Sequence, residues 1–243
     1  MRGETRNAIH CNLYRPGGRP SNEDTARARR QGTDTLCLVV ADGLGGHGGG
    51  KTASFTAAKS ICAAWQGETD PEGLRPLVQK AHEAVLAAQT PTCQMKSTVV
   101  MLTIANGQAA WAHVGDSRLY RFHEGTLEFQ TRDRSASQVA VLLGDITQDQ
   151  IRFHEDRSRI LRALGQEGEV KAEVGGMALQ PGKYAFLLCT DGFWEYVLEP
   201  EMEEDLRAAA NPEDWLARMR QRLAQRVPPD NDNNTAAAVW LEP

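Results

Sequence analysis

Residues 98–105 and 108–114, TVVMLTIA and QAAWAHV, are separated by nothing but Asn106-Gly107. Both runs are rich in strand-forming residues, and Asn-Gly is the pair that accepts the left-handed backbone of a two-residue type I′ turn. Two residues cannot carry a crossover connection, so these strands are antiparallel neighbours. That excludes an all-parallel sheet. After Gly115-Asp116-Ser117-Arg118 the chain offers another strand at 119–122, a turn at Glu124-Gly125 and a further strand at 127–130. The whole stretch reads as a continuing β-meander.

Helices flank this core. Residues 51–65 place Phe55, Ala58, Ile61, Cys62 and Trp65 on one face, and residues 74–89 do the same for Leu74, Leu77, Val78, Ala81, Val85 and Leu86. Residues 135–143, 147–153 and 158–164 read as short helical pieces forming a small excursion. Late in the chain, 202–210 and 214–227 are helical, and after Pro228-Pro229-Asp230-Asn231 residues 235–241 form a closing strand. No internal repeat appears. With 243 residues, of which 41% are apolar and 24% charged, a single domain spanning 1–243 is expected.

Several function classes fall away on composition. A net charge of −5 disfavours a polyanion partner, so no nucleic acid is expected, and the basic groups Arg27, Arg29, Arg30 and Arg218, Arg220, Arg222, Arg226 read as solvated faces. No leader-like apolar region and no run of eighteen uncharged apolar residues is present, which points to a cytoplasmic protein with no membrane partner. The five cysteines, Cys11, Cys37, Cys62, Cys93 and Cys189, are far apart and mostly in apolar runs, as reduced buried thiols would be. Without a heptad or appended segment, the chain is expected to be a monomer.

Acidic cassettes carry the chemistry. They are Asn22-Glu23-Asp24, Asp42-Gly43, Gly115-Asp116-Ser117-Arg118, Asp191-Gly192 and Asp232-Asn233, and three of them follow apolar runs at 36–41, 109–114 and 184–189. Each of those aspartates should sit where a rigid strand gives way to a loop. Oxygen donors without Cys or His at ligand spacing select a hard ion, Mg²⁺ or Mn²⁺, rather than Zn²⁺. One rival exists: Gly45-Gly46-His47-Gly48-Gly49-Gly50-Lys51-Thr52 fits the P-loop pattern, between a strand and a helix. That loop belongs to parallel sheets, however, and Asp42 would put a carboxylate where phosphates are cradled.

The order of these cassettes resembles the metal-dependent protein phosphatases of the protein phosphatase 2C type, in their compact bacterial form. Arg19-Pro20-Ser21-Asn22-Glu23-Asp24 is similar to the family's Arg-x-x-Asn-Glu-Asp opening, and Asp42-Gly43-Leu44-Gly45-Gly46-His47 to its Asp-Gly-Met-Gly-Gly-His loop. Ser97-Thr98, Gly115-Asp116-Ser117-Arg118, Thr131-Arg132-Asp133-Arg134-Ser135, Ile160 to Gly165, Asp191-Gly192 and Asp232-Asn233-Asn234-Thr235 follow in family order. Lys51, Lys96 and Arg134 depart from common family residues, and none of them is a ligand candidate.

The resemblance implies an α+β fold, a four-layer α-β-β-α sandwich with two central antiparallel sheets and a small flap subdomain at about 133–165. It implies a protein serine/threonine phosphatase that hydrolyses phosphothreonine or phosphoserine by a water or hydroxide bridging two Mn²⁺ or Mg²⁺ ions. Its partners would be a phosphorylated protein substrate and the pathway of a cognate bacterial Ser/Thr kinase. Asp42 would bridge both ions, Asp191 and Asp232 would complete one, and the Gly43 carbonyl with water held by Glu23 or Asp24 would serve the other. Arg19 would grip the phosphate in a planar fork. Asp116, helped by Glu195, stands where relatives hold a third ion, with capping of its own turn as the alternative. His47 and His154 read as loop spacers rather than general acids, and the proton donor stays unassigned. Two other functions stay open: a catalytically silent phosphoprotein-binding module and a P-loop nucleotide hydrolase.

Overall fold

The computed structural model describes residues 6–32, 34–45 and 49–242, with backbone alone for 6–14. In chain order the elements are β1 (Arg6–Arg15), β2 (Thr25–Gln31), β3 (Thr35–Ala41), β4 (Gly43–Leu44), α1 (Gly49–Ala64), α2 (Pro71–Ala88), β5 (Lys96–Ser97), β6 (Val99–Ala105) and β7 (Gln108–Val114). There follow β8 (Arg118–His123), β9 (Thr126–Gln130), α3 (Ala136–Leu143), a 3₁₀ turn (Gln148–Phe153), β10 (Glu173–Ala178), β11 (Tyr184–Cys189), α4 (Asp191–Trp194), α5 (Glu199–Ala208), α6 (Pro212–Arg226) and β12 (Asn234–Glu242).

Two five-stranded sheets, ordered β1-β12-β11-β8-β9 and β10-β7-β6-β3-β2, are antiparallel throughout. Alternation along the strands explains the layering. Leu36, Leu38 and Val40 of β3 face Leu119, Phe186, Leu188 and Val239 of the other sheet, forming the central core. Their neighbours Cys37, Val39 and Ala41 point the opposite way, onto Ala57, Ile61, Leu74 and Val78 of α1 and α2. On the far side Tyr120, Phe122, Leu187 and Cys189 meet Met202, Trp215 and Met219 of α5 and α6. Strands covered on both faces read as unbroken apolar runs, which is why β3, β6 and β11 stood out in the sequence. The result is the expected four-layer α-β-β-α sandwich.

The turn between β6 and β7 has φ of 51° at Asn106 and 71° at Gly107, as the type I′ signal requires. Beyond it the expectation of one meander fails. β6 and β7 lie in one sheet, whereas β8 and β9 lie in the other. The chain crosses between sheets at Gly115, whose φ is +101° and where an added Cβ would come within 2.7 Å of Thr98 Cγ2. Residues 158–164 are not helical either. The Leu161 N–H donates to the Arg134 carbonyl at 2.7 Å, and Leu164 and Ser97 exchange backbone bonds at 2.8 and 3.1 Å, so these groups pair across the fold. Phe55 also departs from its assigned face: it is 44% exposed, with the Arg27 guanidinium 5.6 Å and the Lys59 amine 5.9 Å from its ring.

Arg27, Arg30, Arg220 and Arg226 are exposed, as solvated faces would be, but several members of the two basic groups also make specific contacts. Arg29 donates to the Cys62 and Ala63 carbonyls at 2.7 and 2.9 Å, satisfying the open end of α1. Arg222 and Arg226 are tied to Glu201, Glu204 and Asp205 between α5 and α6. β1, β2 and β10 were not legible as strands, because β2 alternates alanine with arginine and β10 carries two glycines. Since β3 pairs antiparallel with both β2 and β6, the parallel setting a P-loop needs is missing around it. No helix among the described residues is long and apolar enough to cross a membrane.

Candidate active site

Asp42 follows the last residue of β3, and its backbone is fixed by the start of the hairpin. The Asp42 N–H donates to Thr98 Oγ1 at 3.1 Å, while the Thr98 N–H and Ser97 Oγ–H donate to the Asp42 carbonyl at 2.9 and 2.8 Å. Gly43 is boxed in: a Cβ there would lie 2.1 Å from the Gly50 carbonyl oxygen and 2.6 Å from that of Glu23. Only glycine lets the backbones of Gly50 and Glu23 approach the strand end this closely.

β11 and β12 are adjacent, with Cys189 opposite Ala236, so the loops at their active ends meet. One carries Asp191, whose Oδ1 accepts from the Gly192 N–H at 2.6 Å, and the other carries Asp232, whose Oδ1 accepts from the Asn233 N–H at 2.8 Å. A Cβ on Gly192 would sit 2.1 Å from the Asn233 carbonyl oxygen, so the two turns are packed back to back. Asn233 then staples a third segment to them. Its Nδ2 donates to the Pro16 and Ser21 carbonyls at 2.8 and 2.9 Å, and its Oδ1 accepts from the Glu23 N–H at 2.7 Å. That brings Arg19 and Glu23 to the same place.

The outcome is a cleft of about 580 Å³ whose walls include Arg19, Glu23, Asp42, Gly43, Asp191 and Asp232. Arg19 Nη2 is 3.1 Å from Asp232 Oδ2, with both side chains about half exposed. Asp24 is buried behind Glu23 and accepts from Thr190 Oγ1 at 3.0 Å. Asp116 is also buried, its carbonyl accepting from Trp194 Nε1 at 3.0 Å, and neither of its carboxylate oxygens has a hydrogen-bond partner among the described residues. Glu195 accepts from Arg157 Nε at 3.0 Å, and His154 Nδ1 accepts from the Asp156 N–H at 3.1 Å. His47 lies outside the described residues. Lys51 Nζ donates to the Asp24 carbonyl at 2.7 Å.

Crowding dominates the electrostatics. Burial, then repulsion from Asp24, Asp191, Asp116 and Asp232, pushes Asp42 well above the usual carboxylate range. Burial and Asp232 raise Asp191 to about 6, burial raises Asp24 to about 7, and burial with Asp191 raises Glu195 to about 7. Carboxylates held together against their repulsion, with two buried oxygens left unsatisfied, fit a hard divalent cation. As the side chains stand, no three acidic, histidine or cysteine groups among the described residues are close enough to hold an ion, and Asp232 is turned to Arg19. The donor set fits in charge and chemistry, and ligation requires its side chains to turn.

Ser158, which the sequence did not single out, and Ile160, which it marked as the start of a family segment and not as a site residue, also wall the cleft. They arrive there because Ile160 bridges to Ser135 and Leu164 to Ser97, long-range pairings without a local signal. The positioning role of Asn233 was hidden for the same reason.

Carboxylates gathered beside an arginine, at one edge of two stacked antiparallel sheets, suit the class of metal-assisted hydrolases of phosphate esters. The family description "Protein phosphatase 2C" matches residues 18–236, and the chain belongs to that family. It is 32% identical over 200 residues to "Serine/threonine phosphatase stp" of Listeria monocytogenes, a match covering 78% of this chain and 79% of the relative. The serine/threonine phosphatase PstP/Ppp of Mycobacterium tuberculosis superposes with a TM-score of 0.80 at 28% identity, over 96% of this chain and 98% of that one. The catalytic domain of PstP in complex with two manganese ions gives a TM-score of 0.81 at 25% identity, over 98% and 99%.

Proposed function

We propose that this chain is a protein serine/threonine phosphatase that removes phosphate from phosphothreonine and phosphoserine with two Mn²⁺ or Mg²⁺ ions, reversing a Ser/Thr kinase in the cytoplasm. The convergence of Asp42, Asp191 and Asp232 with Arg19 on one cleft carries this reading. Asp42, Asp191 and Asp232 would hold the ions, with the Gly43 carbonyl and with water oriented by Glu23 and Asp24. Bound there, the pair supplies a lowered water pKa and neutralises charge on phosphate oxygens. Arg19, released from Asp232, presents a planar fork that holds two phosphate oxygens and aligns phosphorus. Thr98 and Ser97 keep the Asp42 backbone from shifting as charge moves. The buried Asp116, its oxygens unsatisfied, is the residue for a third ion. The chain works as one catalytic unit over 1–243, with 133–165 as its flap.

The test is phosphate release from a phosphothreonine peptide with Mn²⁺, with chelator, and in Asp191→Ala, with ATP as a competing substrate. Metal-dependent turnover of the peptide, lost in Asp191→Ala, is expected. Folded, metal-binding protein without turnover would instead indicate a silent phosphoprotein-binding module.

A further inference from the structure

Among the described residues the large apolar side chains left exposed are Phe55, Val139, Leu142, Leu143, Phe153 and Leu161, and all but Phe55 fall within one short stretch of chain. Their placement is not random. Val139, Leu142 and Leu143 stand at i, i+3 and i+4 on α3, so they share a face, and they are 42%, 65% and 73% exposed. Phe153, at the end of the 3₁₀ turn, is 78% exposed. Isolated exposed apolar residues need no explanation, but a helical stripe of them does.

The same segment is held firmly on its other side. Arg152 is buried, donating to the Trp194 and Val197 carbonyls at 2.7 and 3.3 Å and pairing with Glu199 at 2.5 Å. Arg157 pairs with Glu195, and Ile151 is fully buried in the core beside α5 and α6. α3 itself is capped at both ends, by Ser135 Oγ accepting from the Gln138 N–H and by Gly144 in the left-handed conformation. The stripe is therefore a presented surface on an anchored support.

It is also continuous with the catalytic cleft. Ile160 walls the cleft and bridges to Ser135 at the start of α3, while the next residue, Leu161, bonds back to Arg134 and is 42% exposed. Exposed Arg159 and Arg162 flank this pair, which suits an anionic chain leaving the cleft. We infer that Leu161 and the Val139, Leu142, Leu143 stripe form a docking surface for the phosphoprotein substrate, taking apolar side chains that flank its phosphorylated residue. This rests on the function proposed above and deepens it. An eight-residue helix runs about 12 Å, and extended chain advances roughly 3.3 Å per residue, so crossing the helix alone takes about four residues, and the anchor lies at least that far from the phosphorylated position.

The test pairs phosphothreonine peptides that carry leucines four to six residues to either side with peptides that carry serines there, all with Mn²⁺. The wild-type chain should show kcat/KM about tenfold higher for the leucine peptides, chiefly through KM, as loss of an apolar contact would give. The double variant Leu142→Ser/Leu143→Ser should bring that ratio close to one, and Phe153→Ser tests the neighbouring turn. These side chains are exposed, so folding is not at stake. Equal rates for both peptides with the wild-type chain, or a ratio unchanged in the double variant, overturns the inference and leaves the phosphatase standing. No turnover of any phosphopeptide overturns both. Self-association of the wild-type chain, abolished by the double variant, would assign the stripe to a second copy and overturn it as well.

Discussion

Replacing Asp133 by alanine should destabilise the protein more than any surface change and disturb the site without touching it. The Arg118 and Asp133 side chains are 2% and 1% exposed, and two parallel bonds of 2.8 Å join guanidinium to carboxylate. The same guanidinium donates to the Tyr120 hydroxyl at 3.0 Å and lies 3.4 Å from the Trp194 ring centre. Burial alone would depress the arginine, and Asp133 together with Tyr120 more than offsets it, holding the charge in place. Asp133→Ala leaves that charge in a dry interior with only the Glu199 carboxylate, 3.7 Å away and beyond hydrogen-bond reach, as counter-ion, a loss of about 3–5 kcal/mol. Against a typical total of about 5–15 kcal/mol this is large. At roughly 2–4 °C per kcal/mol for a chain of this size, Tm should fall by about 6–20 °C. Urea unfolding with unchanged m-value measures it. The double replacement Arg118→Met/Asp133→Leu should recover most of the loss, since it removes both charges. A loss below about 1 kcal/mol, the scale of an exposed pair, would refute the reasoning. Because Trp194 holds the Asp116 carbonyl and follows Asp191 by one short helix, Mn²⁺ affinity should weaken in parallel.

Other expectations follow from the same contacts. Arg19→Ala should lower kcat/KM for a phosphopeptide roughly 10–100-fold, and Arg19→Lys should not restore it, because a point charge cannot reproduce the fork; full rescue by lysine would contradict the geometry. Asn233→Ala removes three bonds that fix the Arg19 to Glu23 segment and should weaken Mn²⁺ binding roughly 10–100-fold by calorimetry, with unchanged affinity as the contrary result. The bond from Arg226, against a smaller opposing effect of burial, holds Glu201 down at about 2. Its folded value lies below the ordinary one, so its stabilisation is full above about pH 4.5 and lost as pH falls towards 2. Acid unfolding of Glu201→Gln should accordingly be less steep across that window, and parallel curves would exclude the contribution.

Local physics made much of the fold legible. Asn106-Gly107 specifies a hairpin because the left-handed conformations it accepts are a property of those two residues. The runs at β3 and β11 announce strands because both of their faces are covered. The acidic turns could be recognised as a set, since Asp42, Asp191 and Asp232 each end or precede an apolar run. Sequence could not say that β8 leaves the sheet of β7, because crossing at Gly115 depends on how two sheets stack. Nor could it place Ser158 and Ile160 at the cleft, or keep 158–164 from reading as a helix, since partners far along the chain take up those backbone groups. Residue types and their spacing determined the donor atoms, the long helices and the strands with unbroken apolar runs, though not β1, β2 or β10. Only packing decided that Arg19, Glu23, Asp42, Asp191 and Asp232, distributed over most of the chain, share one cleft, because adjacency of β11 and β12 and the Asn233 staple are contacts between segments that no local pattern encodes.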